Sequence, residues 1–263
     1  MKANLKGKVA LVTGGSKGIG KAIALKLGEN GADVAVNTRS PEMALEVVRQ
    51  IEGSGSRSIW EQGDILSYGD MQRVVANTID RLGKVDILVT SGSPRPPGHV
   101  DLFHKIPPER YLEIIQVTML ARVYPIRAVV EHMMQRQYGK IIVITSDAGL
   151  VPTPSESMVG ASAAGLMFLT RQLGRELARH GIRINAISTT LTRDTPGWER
   201  FSAAKAAEST EVIDKAFTKL EQRVPFGLNR PEDIAELALY LAADESNQLS
   251  GRVISINGGL SFP

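Results

Sequence analysis

The sequence predicts an α/β protein whose single domain, residues 1–263, is a three-layer, doubly wound parallel sheet of about seven strands. Short apolar runs of strand length alternate with longer amphipathic segments of helix length along the chain. A glycine-rich turn follows the first apolar run and opens a helical pattern. Neither an internal repeat nor a polar linker divides the 263 residues. These observations favour βαβ units joined into one sheet.

The composition indicates an aliphatic core and excludes several functional classes. Hydrophobic residues make up 43% of the chain and aromatic residues 5%, and cysteine is absent, which excludes thiol catalysis and disulfides. The net charge of +3 is scattered, so we expect no nucleic-acid partner. The four histidines lack metal-ligand spacing, so we expect no metal. No apolar stretch approaches the ~20 residues of a membrane span, and residues 1–8 do not resemble a signal peptide. We therefore expect a cytoplasmic protein with no membrane partner.

The first strand and the turn after it predict a site for a phosphorylated nucleotide. The apolar run at residues 9–12 leads into residues 13–20, TGGSKGIG, and a helix follows. Glycine permits a turn that side chains would block, and the first turn of a helix presents unpaired N–H groups and a positive dipole end. These features suit a pyrophosphate group. The predicted cofactor-binding residues here are Gly14, Ser16, Lys17, Gly18, Ile19 and Gly20.

The glycine spacing in residues 13–20, Thr-Gly-x-x-x-Gly-x-Gly, resembles that of the short-chain dehydrogenase/reductase family, which has a Rossmann fold. The resemblance runs over nearly the whole chain and is to 3-oxoacyl-acyl-carrier-protein reductases in particular. It implies a nicotinamide cofactor and a small-molecule carbonyl or alcohol substrate. It also implies a homo-oligomer, a tetramer or a dimer, that uses two long helices as interfaces.

The second strand, residues 33–37, predicts the place of the adenosine ribose. The acidic residue that would bind a ribose 2′-hydroxyl is absent after this strand, where Arg39 and Ser40 stand instead. Lys17 lies in the glycine turn, so two cations could converge on a 2′-phosphate. We therefore predict NADP(H) in preference to NAD(H). The alternative is that Arg39 caps a helix or stacks on adenine.

The third strand leads to a predicted adenine contact. Pro41 begins a helix that residues 53–56 close, and a strand at residues 58–60 follows. Asp64 and Ile65 resemble the family's Asp-Val pair, whose acid faces the adenine amino group. A solvent-exposed turn aspartate is the competing interpretation.

The fourth strand, residues 85–89, predicts the second glycine turn of the site. It follows a predicted helix at residues 71–82 and ends in TSGS, residues 90–93, where the family has Asn-Asn-Ala-Gly. We predict that Ser91 and Gly92 approach the cofactor. The proline-rich residues 94–98 should form a rigid loop over the site, in which Arg95 binds an acidic substrate group or is simply solvated.

The fifth strand carries the family's catalytic serine, and the positions around it depart from the family. A single long helix is predicted over residues 109–136, kinked by Pro125, and a strand follows at residues 141–144. Ser146 matches the serine, with a turn residue as the alternative. Thr118 replaces the family's helper asparagine. In the Tyr-x-x-x-Lys motif of the next helix, Val159 and Ala163 stand at the tyrosine and the lysine, and neither can move a proton.

Glu156 is a candidate for the missing acid, because it lies three residues before Val159 on the same helical face if the helix has already begun. However, residues 153–156, TPSE, also spell a capping box with Thr153 as N-cap and Glu156 reaching back. The capping interpretation explains more residues, and we favour it. If the protein is catalytic, we predict that Ser146 orients the substrate oxygen while Glu156 or Thr118 relays the proton.

The last third of the chain predicts a substrate lid and completes the sheet. A strand at residues 182–187 ends near Thr189 and Thr190, where the family has Pro-Gly. Residues 189–223 carry three interspersed aromatics, which suit a lid or ordinary helical packing. A helix at residues 234–242 and a strand at residues 253–256 follow. The sequence thus predicts an atypical NADP(H)-dependent oxidoreductase. A nucleotide-binding protein without redox activity and a non-redox enzyme of the cyclase or dehydratase type are the alternatives.

Overall fold

The computed structural model describes residues 2–93, 100–199 and 223–260, and in these ranges seven parallel strands form one sheet. The strand order is β3-β2-β1-β4-β5-β6-β7, so the direction of winding reverses between β1 and β4. This arrangement confirms the predicted doubly wound α/β fold. The strands are β1 (Val9–Thr13), β2 (Asp33–Asn37), β3 (Ser58–Glu61), β4 (Ile87–Thr90), β5 (Gly139–Ser146), β6 (Ile182–Thr189) and β7 (Val253–Ile256).

Helices cover both faces of the sheet and bury two aliphatic cores. On one face, α1, α2 and α7 pack against the sheet, and on the other α3, α5 and α6 do so. Among the described helices, none has the length and apolar character needed to cross a bilayer. The helices are α1 (Gly18–Glu29), α2 (Pro41–Gly53), α3 (Tyr68–Leu82), α4 (Tyr111–Ile115), α5 (Ala121–Arg136), α6 (Ser157–Leu177) and α7 (Pro231–Ala242).

The single long helix predicted over residues 109–136 is wrong. A π-helix, Gln116–Leu120, separates α4 from α5. Pro125 has no N–H to offer the carbonyl of Ala121, the first residue after the π-helix, which favours a break in the α-helical pattern there. Four apolar residues of this segment are buried: Ile114, Val117, Ala121 and Ile126.

The strands end at different heights, and this shapes the site. The last register pair of β4 and β5 is Thr90 with Val143, whereas β5 continues beside β6 as far as the pair of Ser146 and Thr189. The carboxyl end of β5 therefore stands beyond the end of β4. This difference leaves a step at the edge of the sheet between β4 and β5, on the side where the turns after the strands lie.

Candidate active site

The turns after β1 and β4 are in direct backbone contact. A Cβ atom placed on Gly14 would lie 2.5 Å from the Cα atom of Gly92, and both residues have positive φ angles, +60° and +84°. Glycine is therefore required at both positions by contact and by conformation. The Thr13 hydroxyl donates to the Ser91 carbonyl at 2.9 Å and accepts from the Ser91 amide at 3.1 Å. The two turns form one rigid surface where the winding of the sheet reverses.

The N-terminus of α1 is built to receive an anion. The helix begins at Gly18, whose φ is +48°, and no acidic residue occupies its first turn. Its positive dipole end and unpaired N–H groups are thus not offset by a local carboxylate. A side chain on Gly20 would collide with the Gly14 carbonyl, so the turn and the helix are closely packed. The residues present fit a pyrophosphate group.

Thr38 joins the residues of the predicted adenosine end of the site by hydrogen bonds. Its hydroxyl oxygen accepts a hydrogen bond from the Ser16 hydroxyl at 3.0 Å and one from the Ser40 amide at 3.4 Å. The indole N–H of Trp60 donates to the Thr38 carbonyl at 3.1 Å. The structure thus brings the predicted cofactor residues Ser16 and Ser40 together, and Lys17 is exposed beside them in the glycine turn.

Arg39 and Asp64, which were predicted to serve different parts of the nucleotide, form an ion pair. Arg39 Nη1 lies 3.4 Å from Asp64 Oδ2, and the Arg39 side chain is 65% exposed. Asp64 Oδ1 also accepts from the Leu66 amide at 2.9 Å. The Asp64 amide donates to Asp70, and this bond, followed by the side-chain bond from Arg73, lowers the pKa of Asp70.

These contacts bear on the alternatives. Arg39 pairs with Asp64 rather than capping a helix, whereas Asp64, whose side chain is 34% exposed, retains the features of a turn aspartate beside its ion pair. Ile65 is buried, and its side chain lies against Gly92. Of the predicted Asp-Ile pair, Asp64 thus contacts Arg39 after β2, and Ile65 contacts Gly92 in the turn after β4.

Ser146 begins the turn after β5 with its hydroxyl aligned by the backbone. The hydroxyl oxygen accepts a hydrogen bond from the Ala148 amide at 3.2 Å, which leaves the hydroxyl proton able to bind a ligand oxygen. A Cβ atom on Gly149 would lie 2.9 Å from the Ala163 side chain, and one on Gly160 would lie 2.6 Å from the Ala148 carbonyl. The small residues of α6 therefore pack tightly against the turn that carries Ser146.

The two positions that we aligned with the tyrosine and the lysine of the family motif are buried and apolar. Val159 is 2% exposed and packs with Ile106 and Ile114, which come from the segment after β4 and from α4. Ala163 is 3% exposed and lies against Gly149. Neither side chain has a proton to transfer, so proton transfer must use other groups.

The capping box that we favoured for residues 153–156 is wrong. Helix α6 begins at Ser157, and Glu156 occupies the N-cap position without a side-chain capping bond. The Thr153 hydroxyl donates to the Val151 carbonyl at 3.1 Å instead. The physical reason is the left-handed backbone of Ser155, whose φ of +65° turns the chain immediately before the helix.

Glu156 lines a cavity of about 300 Å³ beside the Ser146 turn. The cavity reaches Ala148, whose amide binds the Ser146 hydroxyl, and Leu102 and Phe103 form an apolar wall. Ser155, Ser157 and Thr153 add hydroxyl groups. Thr118, the other predicted proton relay, lies in the π-helix and donates its hydroxyl proton to the Ile114 carbonyl.

A buried arginine closes the step between β4 and β5. The Lys140 amide donates to the Asp86 carbonyl, so even-numbered residues of β5 direct their backbone polar groups towards β4. The Ile144 carbonyl faces the place where β4 has ended, and Arg122 Nε donates to it at 3.3 Å. Arg122 Nη1 donates to the Val117 carbonyl at 2.8 Å, and the side chain is 7% exposed. Arg122 was not predicted from the sequence, where its only signal is an arginine next to apolar residues within a predicted helix.

Asp147 is a second residue that sequence analysis missed. It directly follows Ser146, is 5% exposed, and accepts hydrogen bonds from three side chains of the two following strands and the β7 turn. An aspartate at the end of an apolar strand, next to a candidate catalytic serine, was the signal in the sequence. Arg95, the loop at residues 94–98 and most of the predicted lid, residues 200–222, lie outside the described residues.

Comparisons with known proteins agree with this geometry. A family model described as short chain dehydrogenase matches residues 8–206. An uncharacterized oxidoreductase of Thermotoga maritima is 32% identical over 257 residues, which cover 97% of this chain and 98% of the relative. The 3-oxoacyl-acyl-carrier-protein reductase FabG of the same organism is 29% identical with the same coverage. The crystal structure of a short-chain type dehydrogenase/reductase from Mycobacterium marinum superposes with a TM-score of 0.84 at 29% identity, covering 99% of this chain and 97% of that one.

Proposed function

Because the chain belongs to the short-chain dehydrogenase/reductase family and is similar to 3-oxoacyl-acyl-carrier-protein reductases, we propose that it is an NADP(H)-dependent oxidoreductase acting on a small carbonyl or alcohol substrate. The observation that carries the proposal is the backbone contact between Gly14 and Gly92, which lies beside the N-terminus of α1. No acidic residue in the first turn of this helix offsets its positive dipole end. Such a cradle suits a dinucleotide pyrophosphate and leaves no room for side chains.

The residues proposed to hold the cofactor follow its length. The α1 N-terminus and the residues of the glycine turn hold the pyrophosphate, Asp64 and Ile65 face the adenine, and Ser91 and Gly92 approach the nicotinamide half. Lys17, Arg39 and Ser40 hold the 2′-phosphate. On binding NADP(H), Arg39 would exchange its exposed ion pair with Asp64 for the phosphate, a small loss because exposed pairs contribute about 0–1 kcal/mol.

The chemistry at the reacting centre falls to Ser146 and Glu156. A bound nicotinamide dinucleotide supplies or accepts hydride. The Ser146 hydroxyl would donate a hydrogen bond to the substrate oxygen and so stabilise the charge that develops there. In the reduction, the Glu156 carboxyl group, in the wall of the cavity, would give this oxygen the proton that completes the alcohol and regain one from solvent; in the oxidation it would accept the proton of the alcohol. We prefer Glu156 to Thr118 because carboxyl groups serve as general acids and bases, whereas a threonine hydroxyl, here bound to the Ile114 carbonyl, does not commonly do so.

The cavity beside Ser146 supports a small substrate. Its volume of about 300 Å³ is at the lower end of ligand pockets. Leu102 and Phe103, which are 46% and 58% exposed, suit an apolar substrate arm, while Glu156 suits a hydroxyl-bearing centre. We also propose that the protein is a homo-oligomer, since Leu112 and Phe168 are large apolar side chains with 74% and 66% exposure.

The activity is tested by following nicotinamide absorbance with NADPH and a panel of ketones and aldehydes, and with NADP⁺ and the matching alcohols. We expect turnover by the wild type. Ser146→Ala should lower kcat by roughly 10²–10³-fold, the typical loss for one oxyanion donor. Glu156→Gln should lower it by roughly 10²–10⁴-fold. Glu232→Gln, an exposed glutamate on α7, is the control and should retain activity.

Two outcomes would contradict the proposed activity. Cofactor binding without turnover of any panel member would support a nucleotide-binding protein without redox activity. Product formation without nicotinamide oxidation would support a non-redox enzyme. Unchanged activity of Glu156→Gln would remove this residue from the mechanism.

The cofactor preference is tested with a matched pair of arginine variants. Arg39→Ala should weaken NADPH binding by about 10–100-fold, the range for a lost charge-assisted hydrogen bond, with little change for NADH. Arg49→Ala removes the same charge from an exposed position on α2 and should leave both affinities unchanged. Equal losses for NADPH in the two variants would contradict a 2′-phosphate site at Arg39.

A further inference from the structure

Asp147 joins three strands at the edge of the sheet that carries Ser146. It is 5% exposed and follows β5. Its carboxylate accepts hydrogen bonds from the Ser188 hydroxyl of β6, from the Ser255 hydroxyl of β7 at 2.7 and 2.9 Å, and from Asn257 Nδ2 at 2.8 Å. Asp147, Ser188, Ser255 and Asn257 are hereafter the Asp147 cluster.

The backbone of Asp147 is tied as firmly as its side chain. Its carbonyl accepts from the amides of Leu150 and Val151 at 2.8 and 3.0 Å, and this closes the turn whose first residue is Ser146. The position of the Ser146 hydroxyl is therefore coupled through one residue to β6 and β7. A buried carboxylate with this many donors is costly to disturb, since each unsatisfied group loses its hydration without compensation.

The Asp147 cluster also reaches both ends of the segment from residue 189 to residue 223. Ser188 directly precedes this segment. Asn257 Oδ1 accepts from the Gly259 amide at 3.0 Å, and Phe226 donates to the Gly258 carbonyl at 2.9 Å. Five apolar residues around these ends pack together and are hereafter called the insert base: Leu191, Trp198, Val224, Leu228 and Leu260.

The entering end of the segment also touches the nucleotide cradle. A Cβ atom on Gly18 would lie 3.2 Å from the side chains of Thr195 and Pro196. The Thr195 hydroxyl donates to the Thr192 carbonyl at 2.8 Å and accepts from the Trp198 amide at 3.2 Å, so the contact residues are part of an ordered turn. The turn at Thr195 and Pro196 thus contacts the start of α1, while Val224 of the insert base contacts Gly258, next to Asn257 of the Asp147 cluster.

We propose that Asp147 is a positioning residue that fixes the Ser146 turn and the insert base relative to each other. This inference rests on the proposed function insofar as Ser146 serves catalysis. Asp147 itself binds neither substrate nor cofactor. Its carboxylate holds β6, β7 and the turn after β7 together, so that Ser146 and the insert base keep one relative geometry.

The chemistry of the cluster provides a reciprocal test. In Asp147→Asn, the side-chain NH₂ group replaces one acceptor oxygen. It would then face Asn257 Nδ2, so that two donors oppose each other without an acceptor. Exchanging the two groups in Asp147→Asn/Asn257→Asp restores complementarity, because the amide at 147 donates to the carboxylate at 257. The amide oxygen still accepts from Ser188 and Ser255, and the carboxylate still accepts from Gly259. Rescue by this exchange is not expected of a residue that merely fills space.

The experiment compares hydrogen exchange in the full-length wild type, Asp147→Asn and the double variant. Asp86→Asn is the matched control: Asp86 is 2% exposed, but it lies at the opposite end of the strands, where it pairs with Lys84 and Arg136. In Asp147→Asn, we expect exchange to rise by on the order of tenfold in peptides covering residues 146–151, 224–228 and 257–260, and to return towards wild type in the double variant. In Asp86→Asn, the ratio of the exchange rate in these peptides to that in the rest of the chain should be unchanged.

The kinetic readout follows the same variants. With a substrate from the panel, Asp147→Asn should lower kcat by about tenfold or more, while the NADPH dissociation constant stays within about twofold, and the double variant should recover kcat. If Asp147→Asn does not fold, Ser255→Ala removes one donor and should affect the same peptides more weakly.

The inference is overturned if exchange in the three segments of Asp147→Asn matches that of Asp86→Asn, or if the double variant restores nothing. A wild type that turns over no substrate would overturn the proposed function instead. In that case, the exchange pattern alone decides whether Asp147 couples the Ser146 turn to the insert base.

Discussion

Replacing Gly14 with alanine should lower the free energy of unfolding by about 2–5 kcal/mol, because two costs add. Gly14 has a φ of +60°, where an L-residue costs roughly 1–2 kcal/mol. The new Cβ atom would also lie 2.5 Å from the Gly92 Cα atom and 2.8 Å from its amide nitrogen. Both neighbours are backbone atoms that cannot rotate away, so the two turns must separate at an overpacking cost of roughly 1–3 kcal/mol.

Two control glycines separate these costs. Gly7 has a φ of +77° with nothing within 4 Å of a new Cβ atom, so Gly7→Ala should lose about 1–2 kcal/mol from conformation alone. Gly69 lies in α3 at a helical φ, and a Cβ atom there also meets nothing within 4 Å. Gly69→Ala should leave the unfolding free energy unchanged or raise it by up to about 1 kcal/mol.

Urea denaturation of the three variants and the wild type, followed by circular dichroism, measures these differences. We expect Gly14→Ala to be less stable than Gly7→Ala by at least about 1 kcal/mol. If the two variants have equal stability, then the turns after β1 and β4 are not in the contact described, and the rigid cofactor cradle is refuted.

Three further predictions concern residues beside or beneath the site. Burial lowers the pKa of Lys140 to about 8 from the ordinary 10.5. Between about pH 8 and 10.5, Lys140 binds more protons in the unfolded chain than in the folded one. The unfolding free energy of the wild type relative to Lys140→Met should therefore rise by about 1 kcal/mol per pH unit in this range. Denaturant titrations in which the wild type and Lys140→Met show the same dependence on pH would contradict this. Arg122→Met removes donors from the carbonyls of Val117 and Ile144 and should cost about 2–4 kcal/mol in a thermal or urea melt. Arg127→Met, an exposed arginine paired with Glu131, should cost less than about 1 kcal/mol, and equal losses would refute a structural role of Arg122. Thr38→Val removes the acceptor of Ser16 and Ser40 and should weaken NADPH binding by about 5–10-fold in calorimetry, whereas unchanged affinity would separate Thr38 from the cofactor site.

The strands were predictable from the sequence because burial on both faces of a parallel sheet leaves a continuous apolar run. The predicted bounds of β2 and β7 agree with those observed. Helix ends were less predictable. Residues 153–156 satisfy the capping-box pattern, but the left-handed φ of Ser155 delays the start of α6 to Ser157. A local motif does not contain the tertiary packing that sets such an angle.

The site was predictable where its residues are close in sequence and hidden where they are distant. The glycine turn is one local segment and follows β1 as its sequence indicated, whereas its contact with Gly92 was not predicted. The Asp147 cluster joins residues that are 41, 108 and 110 positions apart in the chain. Likewise, the pairing of Arg39 with Asp64 depends on the order of β2 and β3 in the sheet, which no local pattern specifies.

The most direct measurement is an equilibrium titration of the wild-type protein with NADPH and with NADH, followed by calorimetry or nicotinamide fluorescence. We predict saturable binding of one dinucleotide per chain, tighter for NADPH than for NADH by about tenfold or more, because the 2′-phosphate would meet Arg39 and Lys17. Failure to bind either dinucleotide would contradict the proposed nucleotide site.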